Sequence, residues 1–335
     1  KYVEEELFEL GKKLRFEHAV HSFILDVEDE IIRQHFSKAE LDEIDCVPGP
    51  QLPELSEEIT GFLNKFADKY FSGLHMVVRE IQSGSLKDAN LEAWFNCHVW
   101  SVVFDQAFGD VDVISVVRGE STSLASASRK NIKRLSGERR KMGRRIDWIL
   151  RSISNGDRDE FGAGEAGKSW VDKNGTKFLK EAGLKLPKTL KDMLVKLMEK
   201  AGWDEESRAK IQTVGMIHAG LMIMTVCLDN PKGYICRVQR GELMEVPDNT
   251  ENFPDILTIL ASVLIIKGWV RKRPRDKDEH RISPCLSTPK KKAKVCTKAY
   301  TKKSNPSSLC PGSPSQVSDL FSCLEGININ ISRMS

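Results

Sequence analysis

Ile146-Asp147-Trp148-Ile149-Leu150 and, ten residues on, Glu160-Phe161-Gly162-Ala163-Gly164-Glu165-Ala166-Gly167-Lys168-Ser169 are the two stretches on which the fold turns. The first is short and rich in β-branched and aromatic residues, as a strand should be. The second reads as a strand over Phe161 to Glu165, and Asn155-Gly156 between them supplies a turn. Upstream, Val111-Asp-Val-Ile-Ser-Val-Val117 is another short β-branched run. Gly215 to Val246 reads as two or three more strands, with a turn at Asn230-Pro-Lys-Gly233.

Helical spacing fills the remainder. Leu7, Leu10 and Leu14, then Phe23, Val27, Ile31 and Ile32, predict amphipathic helices over 1–45. Helices are also expected over 57–81, 91–108, 176–201 with a break at Pro187, and 256–266. Leu190, Met193, Leu194, Leu197 and Met198 form one apolar stripe, and Trp94, Trp100 and His218 read as core. Helices and strands interleaved in this way predict an α/β or α+β domain with a central mixed sheet flanked by helices. The expected divisions are a helical N-terminal segment 1–50, a helical lead-in 51–84, the α/β domain 85–270 and a basic tail 271–335.

Charge separates the tail from the body. The net charge of +3 over 335 residues hides 14 Lys/Arg against 5 Asp/Glu in 271–335 and 37 against 43 before it. The tail has too few large apolar residues to offset its ordering entropy and is expected to be disordered. Within it, Pro289-Lys290-Lys291-Lys292-Ala293-Lys294-Val295 resembles a single-cluster nuclear import signal, with Arg271-Lys-Arg-Pro-Arg275 upstream. Nuclear localisation and an import receptor as partner are the expectation. The eight cysteines show no C-x-x-C spacing, so reduced thiols and no zinc site are expected. No apolar run reaches the ~20 residues of a membrane span. The chain opens on Lys1 rather than Met, which leaves room for a preceding segment.

Chemistry gathers around the two opening stretches. If those strands are neighbours, Asp147 and Glu165 reach one edge of the sheet, where two carboxylates can hold Mg²⁺. Lys168, three residues past Glu165, would then neutralise charge developing on a phosphodiester. The run 129–145 holds nine basic residues and one acid, and it leads directly into Asp147. Lys133, Arg134, Arg139, Arg140, Lys141, Arg144 and Arg145 are therefore candidates for tracking nucleic-acid phosphates, DNA above all.

At these residues the chain resembles the PD-(D/E)XK nuclease-like fold, over about residues 85–270. The resemblance implies a helix, three antiparallel strands, a helix and a further strand, with Asp147 on the second strand and Glu165 on the third. It also implies magnesium, a catalytic lysine at Lys168, and a carboxylate from the preceding helix, for which Glu92 is the candidate. The family spacing is Glu-x-Lys; Glu165-Ala-Gly-Lys168 sets the lysine one residue further on, which on a strand turns it to the opposite face unless a bulge intervenes. The region is also similar to uncharacterised fungal proteins rich in Gly-Ala-Gly-Glu-Ala-Gly segments.

The same residues admit a second resemblance. Gly162-Ala-Gly-Glu-Ala-Gly167-Lys168-Ser169 matches G-x-x-x-x-G-K-[ST] and resembles the phosphate loop of P-loop nucleotidases, G-protein α subunits in particular, which implies bound ATP or GTP. That loop needs a buried strand before it and a helix from its lysine. Here Ser154 to Glu160 is polar and Trp170 to Gly175 reads as a turn, though Leu221 to Asp229 could serve as the strand ending in a magnesium-binding Asp. The candidate functions are thus a magnesium-dependent nuclease, a nucleotide-binding protein and a non-catalytic nuclear interaction protein. A strand through Phe161 to Glu165 beside Asp147 favours the first, a helix beginning at Lys168 the second, and carboxylates that fail to converge the third.

Overall fold

A computed structural model describes residues 2–50, 71–109, 111, 114–153, 158–170, 181–249 and 251–271 of the protein. The chain divides into two compact units, Lys1–Lys272 and Arg273–Ser335. The second lies wholly outside the described residues, and with it Lys290, Lys291, Lys292 and Lys294. The turn at Asn155-Gly156, the lead-in before Phe71 and residues 171–180 also fall outside them.

The first unit is of the α+β class, as its pattern predicts. Its described strands are β1 (Ile24–Asp26), β2 (Ile114–Thr122), β3 (Arg145–Ser152), β4 (Glu160–Gly167), β5 (Gln212–Ala219), β6 (Met222–Lys232) and β7 (Ile235–Glu245). They form one sheet in the order β1-β7-β6-β5-β4-β3-β2. β2, β3 and β4 are an antiparallel meander, β5 runs parallel to β4, and β5, β6 and β7 make a second meander. A parallel neighbour needs a crossover, and the helix Leu186–Lys200 provides it.

The described helices are α1 (Val3–Lys13), α2 (Glu30–His35), α3 (Lys38–Asp45), α4 (Phe71–Ser83), α5 (Glu92–Phe95), α6 (Ser101–Phe108), α7 (Leu124–Asn131), α8 (Leu186–Lys200), α9 (Glu205–Arg208) and α10 (Ile256–Arg271). A π-turn, Asn96–Trp100, joins α5 to α6, and another, Glu181–Lys185, runs into α8. The apolar stripe of α8 is buried as its spacing predicts: Leu190, Met193, Leu194 and Met198 pack with Ile149, Ala163, Ile217, Val226 and Leu228. The opposite face of the sheet is covered through Trp100 and Phe104, with Phe104 and Trp148 rings 5.2 Å apart and the Trp100 indole donating to the Gly220 carbonyl at 2.9 Å. No helix among the described residues is long and apolar enough to cross a membrane.

Two expectations are corrected. The spacing of Phe23, Val27 and Ile31 predicts a helix, yet Ile24–Asp26 is a strand paired in parallel with β7. Ile24 enters the main core, while Leu25 packs with Leu7, Leu10, Ile32 and Ile235 in a smaller cluster. Residues 1–50 are thereby stitched into the sheet rather than set apart from it. A three-residue strand is too short to impose its own period on the sequence. Pro187, read as a helix breaker, sits instead in the first turn of α8, where its missing N–H is not needed.

Candidate metal centre

Glycine and tryptophan fix the register that builds the site. A Cβ on Gly164 would lie 2.0–2.3 Å from the Trp148 ring, so only glycine lets that indole lie across β4. Trp148 is fully buried and its Nε1 donates to His218 Nε2 at 3.2 Å, tying β3 across β4 to β5. On the other face, a Cβ on Gly215 would press within 3 Å of Leu186 and Leu190, so the start of α8 sits tightly on β5. These close approaches set two positions at once: which β3 residue faces which β4 residue, and where the residue preceding α8 comes to rest.

Trp148 pairs with Gly164. Asp147 precedes Trp148 and Glu165 follows Gly164, so the two carboxyl groups lie just past the last paired residues, where each acts on the other's charge. The Asp147 Oδ2 accepts the Ala166 N–H at 2.6 Å, which anchors that carboxylate at the end of the ladder. Glu165 is 1% exposed, and its Oε2 accepts from Lys185 Nζ at 2.7 Å. Its Oε1 is buried and has no hydrogen-bond partner. Burial pushes the Glu165 carboxyl up to about 8, against the pull of Lys185 and with the push of Asp147 and Glu181. Burial also acts to lower the half-buried Lys185, but the carboxylates of Glu165, Asp147 and Glu181 outweigh it and hold its pKa above the usual value. Glu165 thus holds its proton well above the usual carboxyl range, and Lys185 donates to it from beside Asp147 and Glu181.

Glu160 shows what a satisfied buried carboxylate looks like in the same strand. It accepts from Ser123 Oγ (2.7 Å), Leu124 N (2.9 Å) and Ala125 N (3.0 Å) at the start of α7, and it pairs with Arg151 at 2.8 Å. That is an N-terminal cap with a fixed counter-charge, a structural role. Glu160 and Glu165 are both buried, but of their oxygens one is left without a partner, and it belongs to Glu165.

The other sequence candidates fall into place around this centre. Lys168 is exposed beyond the end of β4, and Lys185 takes the position beside Glu165 that Lys168 was expected to fill. Glu92 opens α5, half-buried; no group of three or more His, Cys, Asp or Glu with metal-binding geometry exists among the described residues, so Glu92 does not complete the pair. Gly162 to Gly167 lie within β4, with β3 on one side and β5 on the other, and Lys168 and Ser169 start no helix. Their backbone is engaged in the sheet rather than wrapped around an anion, which is not the geometry of a phosphate loop. Asp229, the Asp that the nucleotide reading needed, is held by Arg237 at 2.7 Å, with both side chains buried.

Of the basic run, Lys133, Arg134, Arg139, Arg140, Lys141 and Arg145 are exposed. Arg144 is the exception: it is bound to the buried Asp192 at 2.7 Å and to the Lys188 carbonyl, and Arg129 grips the same carboxylate at 2.6 Å. Its charge is committed inside the protein, so it is a poor phosphate ligand. His218 is buried and serves Trp148, as a core histidine. Among the described cysteines, burial drives Cys227 up to about 12 and Cys236 up to about 11, which leaves both as inert thiols.

Lys185 and Glu181 are the residues that strand periodicity could not reveal. They arrive from the π-turn before α8, sixteen and twenty residues after Glu165, and the packing of Leu186 and Leu190 on Gly215 brings Lys185 to the carboxyl group. No family model, no curated protein and no solved structure matches the chain.

Proposed function

We propose that the protein is a magnesium-dependent phosphodiesterase acting on DNA in the nucleus, with Asp147 and Glu165 as metal ligands and Lys185 as their cationic partner. One observation carries the proposal: a buried carboxyl oxygen, Glu165 Oε1, has no hydrogen-bond partner, and the charge of a second carboxylate, Asp147, acts on the same group. Leaving such an atom unsatisfied is costly, and a bound ion is one of the things that would satisfy it. Two carboxylates suit Mg²⁺, which keeps several waters and takes further oxygens from phosphate. Bound there, the ion would lower the pKa of a water and offset charge on the phosphodiester.

The chain's own residues then have distinct tasks. Asp147, fixed by the Ala166 amide, presents its carboxylate without reorganisation. Glu165 would give up its proton to hold the ion, so binding would release a proton. Lys185, whose charge Asp147 and Glu181 favour, offers an ammonium to the phosphoryl oxygens. The exposed cations of the 133–141 segment precede β3, the strand that carries Asp147, and can follow a phosphate backbone.

Further support comes from the element order: α6, the antiparallel β2, β3 and β4, the crossover α8 and parallel β5 follow one another as the PD-(D/E)XK resemblance implies, with α7 inserted after β2. The nuclear address rests on the sequence of 271–335 alone. The test is cleavage of plasmid and of labelled single- and double-stranded oligonucleotides with Mg²⁺, Mn²⁺ or EDTA. Cleavage in either metal and none in EDTA is expected; DNA binding without cleavage in every condition would make the protein a non-catalytic nuclear binder and end the proposal.

A further inference from the structure

The segment between α7 and β3 carries a second feature besides charge. Within the eleven residues 132–142, Ile132 is 70% exposed, Leu135 69% and Met142 62%. Isolated exposed apolar residues are ordinary, but three large ones on one short excursion mark an interaction surface. Lys133, Arg134, Arg139, Arg140 and Lys141 are exposed among them. The only acid in the segment, Glu138, is turned back to accept the Leu135 N–H at 3.2 Å.

The segment is braced. Asn131 Nδ2 donates to the Lys141 carbonyl at 2.7 Å while the Lys141 N–H returns to Asn131 Oδ1 at 2.8 Å, which closes the base of the excursion. Arg134 Nη1 donates to the Glu138 carbonyl at 2.6 Å, and Lys130 Nζ to that of Met142 at 3.1 Å. Gly137 makes the turn at the tip with φ +91°, a conformation that favours glycine. Gly143 then packs against α7, where a Cβ would lie 2.0 Å from the Ser123 carbonyl oxygen. The apolar side chains are thus held out into solvent by a backbone that is already ordered, so little ordering cost remains to be met on binding.

Charge complementarity indicates the occupant. Five cations around three aliphatic side chains suit a polyanion that also offers an apolar interior, and the segment feeds straight into the end of β3 that bears Asp147. Aliphatic side chains act between base steps of a duplex, where aromatic ones would be expected for stacking on a single strand. We propose that Ile132, Leu135 and Met142 form a wedge that enters an unstacked base step while the flanking Lys and Arg residues hold the adjacent phosphates, so that the preferred substrate class is distorted duplex DNA, mismatched or kinked. This rests on the reading of the protein as DNA-acting, and it adds what the DNA must look like.

The test is equilibrium binding of the full chain, in EDTA so that no cleavage intervenes, to a matched duplex and to the same duplex with one central mismatch. The wild type should bind the mismatched duplex at least about tenfold more tightly, because part of the unstacking cost is already met. The triple change Ile132→Ser, Leu135→Ser and Met142→Ser should erase that preference and leave the salt dependence unchanged. Arg139→Ser with Arg140→Ser and Lys141→Ser should flatten the salt dependence and keep the preference. Equal affinity of the wild type for both duplexes overturns the wedge, as does a preference that survives the triple change. Loss of binding to phosphatidylserine vesicles in the triple variant, with its DNA preference intact, would assign the segment to a membrane surface instead. Mismatch preference without metal-dependent cleavage would fail the proposed activity alone; cleavage without preference would fail the wedge alone.

Discussion

Lys185→Ala is expected to slow magnesium-dependent cleavage by ~10³-fold under single-turnover conditions, and Asp147→Asn by a similar factor, while Lys168→Ala stays within about twofold of wild type. Lys185 is the ammonium that touches Glu165, and Asp147 and Glu181 around it favour its charge. Removing it takes away a preorganised positive charge at the point where phosphoryl oxygens would gather negative charge. Asp147→Asn keeps the shape of the side chain but forfeits the charge that a divalent ion needs. Lys168 is exposed past the strand end and has no comparable position. Rates that fall with Lys168→Ala and not with Lys185→Ala would return the site to the strand-borne spacing that the sequence suggested.

Without added metal, wild-type stability is expected to fall by on the order of 3 kcal/mol as pH rises from about 5 to 8, and Glu165→Gln should abolish most of that fall. The Glu165 carboxyl is raised from 4.5 to about 8 by burial. Below the unfolded value both states hold the proton and no stability is lost. Between the two values only the unfolded chain releases it, so each step up in pH favours unfolding. Above the folded value the loss is complete. Glutamine stays neutral throughout, so the variant should match wild type near pH 4.5 and exceed it at pH 8. Saturating Mg²⁺ should restore wild type at pH 8, since the ion replaces the proton in the folded state alone, and should do little for the glutamine variant. Urea midpoints across this range, with and without metal, report the difference; parallel profiles for the two proteins would contradict it.

The strand pair and its two carboxylates were legible because a strand has period two and a turn signal lay between the runs. Lys185 was not, since its place depends on helix-to-sheet packing that no local period encodes. The glycines of β4 misled in an instructive way. Glycine serves wherever a neighbour must come close, and Gly164 clears an indole here where the phosphate-loop pattern would have it clear a phosphate. Asp229 is similar: an acid ending an apolar strand is equally a magnesium ligand or the mate of a buried arginine, and only Arg237, eight residues on, decides. Glu160 and Glu165 share a strand and near-total burial, yet hydrogen bonds saturate the first and leave one oxygen of the second bare. That distinction exists only in three dimensions.

An ion shared by Asp147 and Glu165 can be detected without turnover by Mn²⁺ binding followed by electron paramagnetic resonance at pH 8. Wild type should take up Mn²⁺ in competition with Mg²⁺, Asp147→Asn and Glu165→Gln should each weaken that uptake by at least about tenfold, and Lys185→Ala should retain it. Mn²⁺ uptake by Glu165→Gln equal to that of wild type would contradict the claim.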